Sequence, residues 1–233
     1  MSESLPIVLI PGLLGSPRLY AQQIPELWRF GPVMVADHTR EESMAALARR
    51  VLAAAPPRFM LAGLSMGGYV SFEIMRLAPE RVAKLALLDT SARADAPEQS
   101  EMRRAQIAEV RNGGLRDVVE RAFPTWVHPA RRADAALQAM VIAMANEVGV
   151  EGFVRQQLAN IGRVDSRPSL SAIRCPTLVI VGEQDGLTPP ERAAEIANAI
   201  PGSRLIKIPE CGHMSAVEQP AKVTQALVEL LQS

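Results

Sequence analysis

Short apolar runs alternating with helical periodicity constrain this chain more than any other feature. Residues 5–10 are almost wholly apolar and stop at Pro11-Gly12, as a strand buried on both faces does. Residues 32–36, 59–62, 82–88, 177–181 and 205–208 repeat the pattern. Between them lie helical stretches around 19–28, from Glu41-Glu42 through Leu52, over 69–77, over 190–200 and over 216–231. Such alternation implies crossover connections, and hence a mainly parallel, doubly wound α/β sheet of about six strands. From about Ala92 to Ala172 the alternation lapses. Helical patterns over 98–111, 115–122, 130–147 and 152–161 fill that interval, punctuated by Gly113-Gly114, Pro124, Pro129 and Gly149. The reading is an α/β core over 1–91 and 173–233, with a helical cap over 92–172 inserted after the fourth strand.

Composition then narrows the partners. With 233 residues and 48% hydrophobic content the chain can bury a sizeable core. Its 25 basic and 25 acidic side chains cancel, which gives no electrostatic reason to expect nucleic acid or an anionic membrane surface. At 4% aromatic residues, a base-stacking surface is equally unexpected. Met1-Ser2-Glu3-Ser4 lacks the basic and apolar segments of a secretory signal, and no apolar stretch approaches the ~20 residues of a membrane span. The expectation is a cytoplasmic protein. Cys175 and Cys211 match no metal-ligand or redox spacing. Two buried free thiols are preferred, with a single disulfide left open.

The chemistry centres on Gly63-Leu64-Ser65-Met66-Gly67-Gly68. A bare Gly-x-Ser-x-Gly is weak, but here a buried strand enters and a helix leaves, with small residues flanking the serine. That geometry needs little bulk and places Ser65 at the positive end of the following helix. A serine that merely caps the helix would give the same letters. Of three histidines, His38 reads as a loop or helix-start residue and His128 lies in the helical insertion. His213 follows the last strand, on the rim that Ser65 shares, and is the preferred base. Asp185 leaves the fifth strand at that rim and can fix the imidazole; Asp89, leaving the fourth strand, is its rival. The order Ser65, Asp185, His213 suits a nucleophile elbow. Oxyanion donors are assigned to the backbone amides of Met66 and of Leu13, in the loop Pro11-Gly12-Leu13-Leu14-Gly15-Ser16. That loop lacks the Gly-Lys-Ser/Thr ending of a phosphate cradle.

On these residues the chain resembles the α/β-hydrolase superfamily, specifically its small bacterial members with a helical cap. Leu9-Ile10-Pro11-Gly12, Gly63 to Gly68, Pro176-Thr177-Leu178 through Asp185, and Gly212-His213 carry the resemblance. It implies oxyanion loop, nucleophile elbow, acid turn and catalytic histidine, in that order. Most such relatives have His-Gly where this chain has Pro11-Gly12, so a supporting interaction of that loop is expected to be missing. The turn after the second strand, usually glycine-rich, is Asp37-His38-Thr39-Arg40. A serine at position 65 argues against the epoxide hydrolases and haloalkane dehalogenases, whose nucleophile is aspartate.

The function expected is cleavage of a small-molecule carboxylic ester through an acyl-enzyme, with no metal or organic cofactor. Leu14, Trp126 and Met144 are candidate substrate contacts. Phe123 and Met140 are apolar positions that helical spacing more often places in a cap core. Arg155, Arg163 and Arg167 are either binders of an acidic group or solvated helix residues. A C–C bond hydrolase, a lyase bearing the same triad, and a non-catalytic ligand-binding protein remain as alternatives. Fold alone does not choose among them.

Overall fold

The computed structural model describes residues 4–233, so Met1, Ser2 and Glu3 lie outside the described residues. Six strands form one sheet: β1 (Ile7–Ile10), β2 (Val33–Val35), β3 (Phe59–Leu64), β4 (Val82–Leu88), β5 (Thr177–Gly182) and β6 (Arg204–Ile208). Their spatial order is β2-β1-β3-β4-β5-β6, and every neighbouring pair is parallel. The order reverses between β1 and β3, where Leu9 faces Ala62 and Ile10 faces Gly63. Open α/β sheets bind ligands beyond the strand ends at such a reversal.

The sheet is buried on both faces because its strands alternate two apolar sets. Ile7, Leu9, Met60 and Ala62 join one core, while Val8, Ile10, Phe59 and Leu61 join the other. Each such side chain contributes roughly 1.5–3 kcal/mol on burial. The helices are α1 (Ile24–Leu27), α2 (Met44–Ala54), α3 (Met66–Leu77), α4 (Pro97–Arg111), α5 (Leu115–Trp126), α6 (Ala135–Ile161), α7 (Arg167–Leu170), α8 (Pro190–Ala199), α9 (Ser215–Glu218) and α10 (Pro220–Gln232). Residues of α2, α3 and α8 complete the second core. Those of α1 and α10 complete the first, and α4, α5 and α6 extend it through Val110, Val118, Phe123, Val141 and Phe153. Helices α4 to α7 occupy the chain between β4 and β5.

Several elements differ from the sequence reading. The stretch around 19–28 yields only a 3-10 turn, Pro17–Tyr20, and the single turn α1. Helix α2 opens at Ser43, whose hydroxyl accepts from the Ala46 amide, rather than at Glu41-Glu42. The closing helix is cut in two because Pro220 has no N–H and disfavours helical backbone at Gln219, which sits at φ −132°, ψ 57°. Helix α6 runs almost unbroken from its cap at Asp134, interrupted by Gly149 at φ 71°, ψ 175°. Contrary to the sequence expectation, α6 is long and apolar enough to cross a membrane by length and composition. Its apolar residues Leu137, Val141, Met144 and Phe153 instead join the core beside Leu9 and Ala62. Cys211 is buried and Cys175 half-buried, both unpaired, so the disulfide is not formed.

Candidate active site

The site grows from the turn between β3 and α3. Ser65 takes φ 53°, ψ −113°, a conformation costly for any residue with a side chain. Its surroundings hold it there. Its amide donates to Leu88 O at 2.8 Å, and its carbonyl accepts from Gly68 N at 2.9 Å and Thr90 Oγ1 at 2.8 Å. A Cβ on Gly67 would lie 2.1 Å from Ile10 O, so the first turn of α3 can close onto β1 only with glycine there. The serine hydroxyl thus stands half-buried at the N-terminus of α3, above the reversal in the sheet.

Three loops bring its partners. The Ser65 hydroxyl donates to His213 Nε2 at 2.8 Å, and His213 Nδ1 donates to Asp185 Oδ2 at 2.8 Å. Asp185 also accepts from the Leu187 and Thr188 amides, each at 2.9 Å, and from Thr188 Oγ1 at 2.7 Å. Burial pushes its carboxyl up, but the His213 charge and these bonds outweigh that and hold it below the ordinary carboxylate value. Burial likewise pushes His213 down, yet Asp185, then Asp89 and Glu218, carry it above its ordinary value. The histidine turn is fixed from both sides. His213 N donates to Trp126 O at 2.9 Å, and Glu218 accepts from Gly212 N at 3.0 Å, Met214 N at 3.2 Å and His128 N at 2.7 Å. His128 itself only caps a 3-10 turn with its side chain.

Asp89, the rival acid, makes no contact with His213. Its Oδ1 accepts from Gly182 N at 3.0 Å, and its Oδ2 meets the amide and hydroxyl of Ser215. Burial and the nearby Asp185 charge push it up to about 8, partly offset by the His213 charge and the bonds from Ser215 and Gly182.

The loop leaving β1 completes the arrangement. Leu14 sits at φ 58°, and its amide donates to Gln156 Oε1 of α6 at 2.9 Å. His38 Nε2 lies 2.9 Å from Gly12 O and 3.0 Å from Gln156 Nε2. Burial holds His38 below the ordinary histidine value, partly offset by the Gly12 carbonyl. The supporting interaction expected to be missing at Pro11-Gly12 is therefore supplied from His38 and α6, and the unusual turn Asp37-His38-Thr39-Arg40 is its source. Among the described residues the amides of Leu13 and Met66 have no hydrogen-bond partner. Met66 is the first residue of α3, where intrahelical partners are lacking in any case.

A cavity of about 650 Å³ opens over Ser65 and His213. Leu13, Leu14, Met66, Trp126 and Met144 all line it. Phe123 and Met140 do not; they pack in the first core. Of the three arginines, Arg155 lies off the cavity against Thr39 O and Glu151. Arg167, at the rim, pairs with Asp165. Arg163 is buried and pairs with Asp95, so it is not a solvated helix residue. Among the described residues no three His, Cys, Asp or Glu side chains gather as a metal site requires.

Sequence reasoning passed over Thr188, Glu218 and Gln156, and gave His38 no partner. Gln156 acts through contacts distant in the chain, being 142 residues from Leu14 and 118 from His38, whereas Thr188 and Glu218 also bond near neighbours, Asp185 and Met214. The one local signal was an acid, Glu218, inside the apolar run after His213.

A family model described as alpha/beta hydrolase fold matches residues 6–220. A thermophilic esterase from Thermogutta terrifontis is similar in structure, with TM-score 0.89 and 33% identity over 98% of this chain and 89% of that one. A pimeloyl-[acyl-carrier protein] methyl ester esterase from Klebsiella pneumoniae is 30% identical over 81% of this chain and 75% of its own. An enol-lactonase from Burkholderia xenovorans shares the fold at TM-score 0.89 and 24% identity, covering 100% of this chain and 93% of that one.

Proposed function

Since the chain belongs to the α/β-hydrolase family, we propose that it is a serine hydrolase of small-molecule carboxylic esters, with Ser65 as nucleophile. One observation carries the reading: the unbroken hydrogen-bond path from Ser65 Oγ through both ring nitrogens of His213 to Asp185 Oδ2. The hydroxyl attacks the ester carbonyl while its proton passes to His213 Nε2. The Leu13 and Met66 amides receive the oxyanion as the carbonyl carbon becomes tetrahedral. Collapse expels the alcohol, which takes the proton from His213. Water, deprotonated by the same nitrogen, then attacks the acyl-enzyme and releases the acid and Ser65. Asp185 keeps the Nδ1–H tautomer in place and stabilises the imidazolium. Helices α4 to α7 serve as a cap that walls the cavity, with Leu14, Trp126 and Met144 against the substrate.

The two esterase relatives support an ester over the other substrates of the family. The unpaired cysteines fit a reducing, cytoplasmic setting. A fluorophosphonate probe should label the wild-type protein and not Ser65→Ala, which should lose about 10⁶ in kcat on any ester turned over. A panel of esters of graded length beside vinylogous diketones discriminates the chemistries. Turnover of the diketones alone would favour a C–C hydrolase, and failure of the probe to label would favour a non-catalytic binding protein.

A further inference from the structure

The cavity wall contains charges that do not balance. Asp95, Arg103 and Arg163 all line the cavity, and their side chains are 1%, 13% and 6% exposed. Both guanidiniums share the one Asp95 carboxylate. Arg103 Nε donates to Asp95 Oδ2 at 2.8 Å, and Arg163 Nη1 pairs with Asp95 Oδ1. Guanidinium stays protonated in proteins, so the trio holds a surplus positive charge inside a chain whose overall formal charge is zero. Of the other arginines lining the cavity, Arg93 pairs with Glu195, Arg121 with Glu109 and Arg167 with Asp165, while Arg192 makes no ion pair among the described residues. A buried charge without a counter-ion is costly, which makes the surplus a feature that needs a partner.

The hydrogen-bond inventory gives the same answer. Arg163 spends Nε on Arg93 O at 3.0 Å and Nη1 on Asn160 O and Asp95, and its guanidinium lies 4.4 Å over the Tyr69 ring. Nη2 has no hydrogen-bond partner among the described residues. Arg103 turns Nη1 to Gln157 Oε1 at 2.7 Å, and two of its five N–H groups stay unused. Asn160, 1% exposed and also on the cavity wall, leaves Oδ1 without a partner, while its Nδ2 meets only the weak acceptor Met66 Sδ at 3.7 Å. The cluster stands close to the chemistry. Met66 follows Ser65 directly, and Tyr69 is three residues, about 4.5 Å, further along α3.

We propose that Arg103 and Arg163 form a carboxylate-binding subsite, so that the preferred substrates are esters whose acyl or alcohol part ends in a second, ionised carboxyl group. A carboxylate there neutralises the surplus charge and takes up the idle guanidinium N–H groups, the strongest class of hydrogen bond available to it. The proposal rests on the ester-cleaving reading above, but it concerns recognition and can fail separately.

The test compares monomethyl esters of dicarboxylic acids of graded length with the same chains ending in carboxamide, a neutral isostere. The expected ratio of kcat/KM, carboxylate over carboxamide, is about tenfold or more at the best length. Arg103→Gln and Arg163→Gln should each bring that ratio at least fivefold closer to one. Because Arg163 also ties Asp95 to Tyr69, its variant is checked by circular dichroism, and Arg103→Gln carries the test if it misfolds. Calorimetry with Ser65→Ala supplies a readout free of turnover: the half-ester should bind, and the carboxamide should bind at least tenfold more weakly. A ratio near one with intact ester turnover, or equal binding of the two ligands, would overturn the subsite and leave the trio as a clamp between ends of the cap. Loss of all turnover and of fluorophosphonate labelling, with the half-ester still bound selectively, would sink the hydrolase reading and leave the subsite standing.

Discussion

Asp185 and Asp89 illustrate how far a residue's chemistry depends on its neighbours rather than its position in the chain. Both follow strands at the same rim, and by sequence alone either could orient His213. In the fold Asp185 meets the imidazole and two backbone amides, whereas Asp89 is turned to Gly182 and Ser215 and pushed up to about 8. Asp185→Asn should therefore lower kcat by on the order of 10³–10⁴, by favouring the wrong tautomer. Asp89→Asn, at a residue that bonds Gly182 and Ser215 rather than the imidazole, should change kcat by less than about tenfold. Steady-state kinetics on one good ester checks both, and the reverse ranking would reassign the acid. The pH profile follows from His213. It acts as base only when neutral, and Asp185 raises its proton affinity. Activity should rise with pH through a midpoint above the reference value of ~6.5. A midpoint at or below that value would mean that the Asp185 charge does not reach the ring in solution. Ser65 and His213 were legible because strand, turn and small flanking residues encode their placement locally. Gln156 was not, since nothing near it in the chain announces the loop it holds.

At the scale of elements, the strands were read closely because each is an apolar run with a sharp polar or glycine boundary. β4 begins at Val82 and ends at Leu88, as its letters suggest. The segments misjudged are those where one residue overrides periodicity: Pro220 divides the closing helix, and Ser43 sets the start of α2 later than the acidic pair. Gly149 is the opposite case, a residue that lets two helices run on as α6. Its backbone lies in a region open essentially to glycine alone, although a Cβ there would meet nothing within 4 Å. Gly149→Ala should thus cost about 1–3 kcal/mol purely through backbone strain, a fall in Tm of about 2–10 °C by scanning calorimetry. An unchanged Tm would show that the bend is not needed for stability.

Over the whole molecule, the parallel sheet with helices on both sides was legible from alternation, and the reversal between β1 and β3 places the site where such sheets bind ligands. The joining of helices α4 to α6 to the sheet's own core was not, because periodicity reports that a helix has an apolar face but not what that face meets. Val110, Phe123 and Val141 share one core with Leu9 and Leu227. The two parts should accordingly unfold together. With Trp28→Phe leaving Trp126 as the sole indole, urea midpoints from its emission and from far-UV circular dichroism should coincide; an earlier emission midpoint would mean that α5 detaches first. The Gln156 link to Leu14 gives that union a further meaning. The helix that supplies Val141, Met144 and Phe153 to the cavity wall also holds, through Gln156, the strand-end loop beside Ser65, so the enclosure of the cavity and the shape of that loop are set by one element.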